Sequence, residues 1–149
     1  GNTTTGSFQV IVRDTEPPVI KYIKVTKKSL PAPSHGTHAI PVKMYAITLK
    51  VTATDNFGPV TSRIVSISSS PSGSTPSDWQ ITGPLTANLK AGRVYIINVE
   101  ARDAAGNVAY CPTTLTLPGN SSNVKADDDD CDGGTRPHTS GPGVPTGSR

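Results

Sequence analysis

Several features that define common protein classes are scarce in this 149-residue chain. It has two cysteines, Cys111 and Cys131, and their spacing matches no zinc-binding pattern. It has no run of apolar residues long enough for a transmembrane helix. Its three histidines are His35 and His38 in one Pro/Gly-rich stretch and His138 near the end, so a Ser-His-Asp triad lacks a histidine on a rigid scaffold. We therefore expect neither a zinc cluster, nor membrane insertion, nor an enzyme.

Aromatic residues make up only 5% of the chain, and the excess of positive charge is small, with a net charge of +3. Basic residues are scattered, apart from a group formed by Lys21, Lys24, Lys27 and Lys28. Nucleic-acid-binding proteins usually show a denser basic stripe with interleaved aromatic residues. Only Tyr22 lies among these lysines. We therefore expect no nucleic-acid partner.

Alternation of apolar and polar residues is the main structural signal in the sequence. It is clearest over residues 42–54, where Tyr45, Leu49 and Val51 share one face and Met44 and Lys50 share the other. Weaker strand patterns cover residues 19–26, 60–69, 79–82, 85–89, 94–102 and 108–117, and no helical period of useful length is present. About seven short strands separated by turns predict an all-β, antiparallel β-sandwich, with a single closed sheet as the alternative. The predicted centre of its core is Leu49, Val51, Ile97 and Val99.

Composition divides the chain into four parts. Residues 1–13 alternate like a strand, and we interpret them as the last strand of a truncated preceding domain. Residues 14–18 form a linker, because Pro17 and Pro18 remove two backbone donors and favour extended geometry. Residues 19–118 form the sandwich. Residues 119–149 contain few apolar side chains, which predicts a disordered tail.

Two segments carry a family resemblance: VTATDNFGPVTSRIVSIS, and DWQITGPLTANLKAGRVYIINVEARDAAGNVA. They resemble a bacterial Ig-like module that recurs in large secreted or surface proteins and is similar to hyalin repeats and fibronectin type III-like domains. The resemblance covers Phe8 to Pro118 and implies an Ig-like sandwich with an adhesive or spacer role. Such modules often carry cysteines where Phe57 and Ala101 stand here, so it carries over no disulfide. Whether Cys111 and Cys131 pair is left open.

The topology that this resemblance implies suggests a metal site. In an Ig-like sandwich the entry linker, the loop after the second strand and the loop after the sixth strand share one end. These segments carry Asp14, Glu16, Asp55 and Asp103. Oxygen ligands are what Ca²⁺ prefers, so the four residues are a candidate Ca²⁺ site at the domain junction. The alternative is that Asp and Asn side chains here serve only to form turns.

The sequence thus predicts a non-catalytic structural or adhesive module that spaces or presents domains of a secreted or cell-surface protein. Its partners would be neighbouring domains of the same chain, together with extracellular protein or polysaccharide, and Ca²⁺ is the one cofactor considered. The alternative is an accessory domain of a secreted hydrolase that binds carbohydrate. For that role Trp79 is the one aromatic side chain predicted to be free for stacking on a sugar.

Overall fold

A computed structural model describes residues 1–30, 43–70, 78–119, 125–126 and 131. The described residues form eight strands: β1 (Val19–Ser29), β2 (Met44–Thr54), β3 (Thr61–Ser70), β4 (Trp79–Gly83), β5 (Thr86–Lys90), β6 (Arg93–Arg102), β7 (Val108–Leu117) and β8 (Lys125–Ala126). The first seven confirm the strands predicted for the sandwich from alternation. The described part of the chain contains no helix with the length and hydrophobicity of a transmembrane span.

The strands form two antiparallel sheets. One has the order β1-β2-β5-β4 and the other has the order β3-β6-β7-β8. With the strands lettered A to G, the first seven form an ABED sheet and a CFG sheet, which is the arrangement of constant-type immunoglobulin domains. The all-β antiparallel sandwich predicted from the sequence is therefore confirmed, as two separate sheets rather than one closed sheet.

The core lies between the two sheets and is built from the inward faces of both. Leu49, Ile97 and Val99 are buried, as predicted. Val51 is only partly buried but packs against the same core. Period-two alternation placed these side chains correctly because each strand of a sandwich turns one face to the core and the other to solvent.

One end of the core is closed by a buried polar cluster that the sequence analysis did not identify. The Asp78 carboxylate lies 3.3 Å from the Lys90 ammonium and 3.1 Å from the Arg93 guanidinium. The single O–H of the buried Tyr95 side chain points to the backbone carbonyl oxygens of Asp78 and Lys90, which lie 3.0 and 2.9 Å from the hydroxyl oxygen. These contacts satisfy a phenol and a carboxylate that would otherwise be costly to bury.

Three described residues of the predicted tail are held to the sandwich. Lys125 and Ala126 pair with the end of β7, and Cys131 forms a disulfide with Cys111 across a Cα–Cα distance of 6.0 Å. At these positions the structure differs from the predicted disorder, because the disulfide ties the segment to a buried cysteine of β7. Apart from Gly119, the rest of the predicted tail lies outside the described residues.

The segment before β1, residues 1–13, was predicted to be the last strand of a preceding domain, and within the described chain it is not part of either sheet. These residues are described but are not paired with any described strand, and Phe8 and Val12 are 89% and 72% exposed. The alternation of apolar residues is present, but a strand also needs a neighbouring strand to satisfy its backbone groups. The described chain supplies no such neighbour to this segment.

Candidate metal site at the entry end of the sandwich

Three acidic side chains from distant parts of the sequence meet where the chain enters the sandwich. Asp14 precedes β1, Asp55 follows β2 and Asp103 follows β6. Each offers one carboxylate oxygen, and the three oxygens lie within 4.8 Å of one another. They converge because β1 runs antiparallel to β2, so the start of one strand lies beside the end of the other, with the end of β6 at the same end of the second sheet.

Asp103 is the most strongly positioned of the three. Its Oδ1 accepts hydrogen bonds from the backbone N–H groups of Gly106 and Asn107 at 2.6 and 2.8 Å, and its Oδ2 accepts one from the Asn107 side chain at 2.8 Å. Gly106 adopts φ of 98°, which the tight turn requires and which favours glycine. Burial raises the pKa of the Asp103 carboxyl, but these hydrogen bonds together lower it by more than burial raises it. The pKa of Asp103 therefore lies below its ordinary value. Asp103 is therefore held ionised in a fixed orientation.

Asp14 presents an oxygen without a donor. Its Oδ1 accepts the Glu16 backbone N–H at 3.1 Å, and the Asn107 side chain donates to the Asp14 backbone carbonyl at 3.2 Å. Its Oδ2 is buried and has no hydrogen-bond partner among the described residues. An unsatisfied buried acceptor is costly, so this oxygen is suited to a cation.

Glu16, the fourth residue of the predicted site, is not part of this trio. Its Oε2 accepts a hydrogen bond from the Asn56 side chain at 2.6 Å. The predicted turn role is also present, because Asp55 Oδ2 accepts the Phe57 backbone N–H at 2.8 Å, as Asp103 does in its own turn. The two interpretations of these acidic residues therefore do not exclude each other. The turns fix the orientation of the Asp55 and Asp103 side chains, and the fold brings both of them next to Asp14.

The size of the cluster suits Ca²⁺. Oxygen ligands bind Ca²⁺ at 2.3–2.6 Å, so two ligands on opposite sides of the ion are about 4.6–5.2 Å apart. The three carboxylate oxygens, all within 4.8 Å of one another, can therefore share one coordination shell. Ca²⁺ takes six to eight oxygens, so bidentate binding, water or further carbonyl groups would complete the shell.

A second charged cluster lies on the outer face of the other sheet. Glu100 is buried, and its Oε1 accepts hydrogen bonds from Arg63 Nε at 3.1 Å and from Arg102 Nη2 at 3.4 Å. Glu100 lies on the outward face of β6, because the buried Val99 and Ala101 on either side of it face the core. The sequence analysis did not identify its contact with Arg63, which depends on the pairing of β3 with β6.

This cluster predicts a loss of stability in acid. The Arg63 hydrogen bond is the main cause that lowers the pKa of Glu100, and Tyr110 and the charge of Arg102 add to it against the cost of burial. A carboxyl with a lowered pKa in the folded state stabilises the fold above its unfolded pKa, and this stabilisation is lost as pH falls through the folded pKa. Urea titrations of the protein in EDTA should therefore show a decreasing free energy of unfolding below about pH 4.

Glu100→Gln is the matched variant, and its stability should depend less steeply on pH over this range. An equally steep dependence in wild type and variant would show that Glu100 is not the group responsible.

Trp79 is not the free aromatic platform that the sequence suggested. It is partly buried and packs against the core, where β4 pairs with β5. Alternation alone could not reveal this, because β4 is only five residues long.

No family model, curated protein or solved structure was found to match this chain. The fold therefore defines its class: an all-β, two-sheet antiparallel sandwich. Within the described residues, the acidic trio at the entry end is the group of side chains with an arrangement suited to a metal ion.

Proposed function

We propose that the chain is a non-catalytic structural or adhesive module of an extracellular protein, and that Ca²⁺ stiffens its entry junction. The observation that carries the proposal is the convergence of Asp14, Asp55 and Asp103, with a buried and unpartnered Oδ2 on Asp14. The strand order supports the resemblance to Ig-like and hyalin-repeat modules, because such modules share the sandwich architecture.

The position of the trio suggests how a bound ion would act. Asp14 belongs to the entry linker, whereas Asp55 and Asp103 belong to turns that the sheets hold in place. Three carboxylates at this distance repel one another. A Ca²⁺ ion among them removes the repulsion and joins the linker to both sheets. The direction in which the chain enters the sandwich would then be fixed, which is what a spacer between domains requires.

Two further observations support an extracellular module. The Cys111–Cys131 disulfide belongs to a class of bond that persists in oxidising compartments and is rare in the cytosol. The apolar side chains of Phe8, Val10 and Val12 alternate along an exposed segment just before the linker. Such a segment is suited to pairing with a strand of a neighbouring domain.

Thermal unfolding in millimolar Ca²⁺ and in EDTA tests the metal site. A ligand that binds only the folded state raises stability by about 2.7 kcal/mol when its free concentration is 100 times the dissociation constant. We therefore expect a higher midpoint in Ca²⁺. Equal midpoints for the wild type would contradict the proposed site.

Variants identify the ligands. Asp55→Asn with Asp103→Asn should remove the Ca²⁺-dependent shift while keeping side-chain shape and one acceptor oxygen at each position. Glu16→Gln is the matched control, because the Glu16 carboxylate is bound to Asn56 outside the trio. Its shift should equal that of the wild type. A shift that survives in the double variant would place the ion elsewhere.

A further inference from the structure

Charge is divided unevenly between the two sheets. The strands of the β1-β2-β5-β4 sheet contain six lysines and no aspartate or glutamate. The strands of the other sheet carry arginines together with Glu100. One sheet is therefore basic without internal compensation, although the net charge of the whole chain is only +3.

The outward side of the basic sheet forms what we call the lysine face: Tyr22, Lys24, Lys28 and Lys50. Lys24 of β1 lies directly opposite Lys50 of β2 in the antiparallel register. Directly opposite residues have Cβ atoms about 5 Å apart, and like charges at that distance destabilise a sheet. Lys28 lies four residues further along β1, about 13 Å away at the usual rise of a strand. Tyr22 is on the same side, next to the Lys24–Lys50 pair, and is 43% exposed.

The salt bridges found among the described residues lie elsewhere. They join Asp78 to Lys90 and Arg93, and Glu100 to arginines of the other sheet. Among the described residues no acidic side chain neutralises the lysine face, so its charge is available to a ligand.

Protection of a sheet edge explains only part of this arrangement. Lysines on an exposed edge strand prevent pairing with another chain, and β1 is an edge strand. Lys50 does not protect that edge, because it lies on β2, on the inner side of β1. A like-charged pair that spans an edge strand and an interior strand costs stability without protecting the edge. Binding of an anion would explain why the Lys24–Lys50 pair is present in spite of this cost.

We propose that the lysine face binds an anionic polysaccharide. Its cations are spread along two neighbouring strands of an exposed sheet face, which suits a polymer with repeated negative charges. The face lacks the aromatic residues on which single-stranded nucleic acids stack, apart from Tyr22. On the outward side of β2 the apolar side chains are Met44 and Ala46, and both are partly buried, so the face offers little of the apolar surface that a protein inserts into lipid. An exposed tyrosine beside the lysine pair is suited to contact with a sugar ring.

Binding to dextran sulfate, with uncharged dextran as the comparison, tests the proposal. The wild type should bind dextran sulfate, more weakly as salt increases, and should not bind dextran. Lys24→Gln with Lys50→Gln should weaken binding about tenfold, as expected for the loss of two exposed ion pairs. Arg13→Gln with Arg102→Gln is the matched control, because it removes the same charge from two exposed positions outside this sheet. Its affinity should change less than about twofold.

A further variant, Lys50→Glu, separates binding from folding. It replaces the repulsion with an attractive cross-strand pair, so its thermal midpoint should rise while binding is lost. Binding of dextran sulfate to the lysine face does not involve the acidic trio, so the affinity should be the same in Ca²⁺ and in EDTA. Absence of wild-type binding, or equal weakening in the two double variants, would overturn the proposal. Tighter binding to a single-stranded oligonucleotide or to anionic lipid vesicles would also overturn it.

Discussion

Leu49→Ala should lower the free energy of unfolding by roughly 2–5 kcal/mol, the range for truncation of a large core side chain. Leu49 is 2% exposed and lies on β2, which is paired on both sides. Truncation loses the buried apolar area and leaves a cavity, and the flanking strands restrict collapse around it. Urea titration monitored by far-UV circular dichroism measures the change.

Lys50→Ala is the matched control, because Lys50 is the next residue of the same strand on the opposite face. Its free energy of unfolding should change by no more than about 0.5 kcal/mol. A loss well under 1 kcal/mol for Leu49→Ala would mean that the register of β2 is wrong.

Asp78→Ala should cost about 3 kcal/mol, because it removes the buried carboxylate that Lys90 and Arg93 share. The Asp78 side chain is 5% exposed, whereas Lys90 and Arg93 are 33% and 20% exposed, which places the cost at the lower end for a broken buried pair. The same denaturant titrations provide the measurement.

The control for Asp78 is Arg63→Ala, because Arg63 is 60% exposed and its removal leaves Arg102 paired with the buried Glu100 carboxylate. Its cost should be smaller than that of Asp78→Ala, because a partner for the buried charge remains. The double variant Asp78→Ala with Lys90→Ala should cost less than the sum of the two single variants, because the residues act on one another. Strict additivity would show that the Asp78–Lys90 contact contributes nothing.

The strands could be predicted from sequence because each reports its own environment. In β2, residues from Tyr45 to Leu49 alternate between core and solvent, and this period of two is visible without knowledge of any partner strand. The segment from Phe8 to Val12 has the same period but no strand in the structure. A local pattern of alternation shows that a segment is able to form a strand. Whether it does so depends on a neighbouring strand with which it can pair.

The acidic trio could be anticipated because it depends on topology, which fixes the end of the sandwich at which each loop lies. The orientation of individual side chains could not be anticipated. Glu16 lies two residues from Asp14, yet its carboxylate binds Asn56. The contacts of Asp78 with Arg93 and of Cys111 with Cys131 join residues whose approach depends on the three-dimensional path of the chain, and neither pair has a local signal.

The interleaved strand order also determines how the sandwich must assemble. β2 pairs with β5, and β3 pairs with β6, so both sheets depend on contacts between segments that are distant in sequence. Closing the long loops between them costs entropy before the contacts can compensate, which places such sandwiches among the slow folders, in milliseconds to seconds. The β4–β5 and β6–β7 hairpins are local exceptions, because tight turns join adjacent strands in both. A newly synthesised chain can therefore form these hairpins early, while the remaining strand edges stay unpaired until more distant segments reach them.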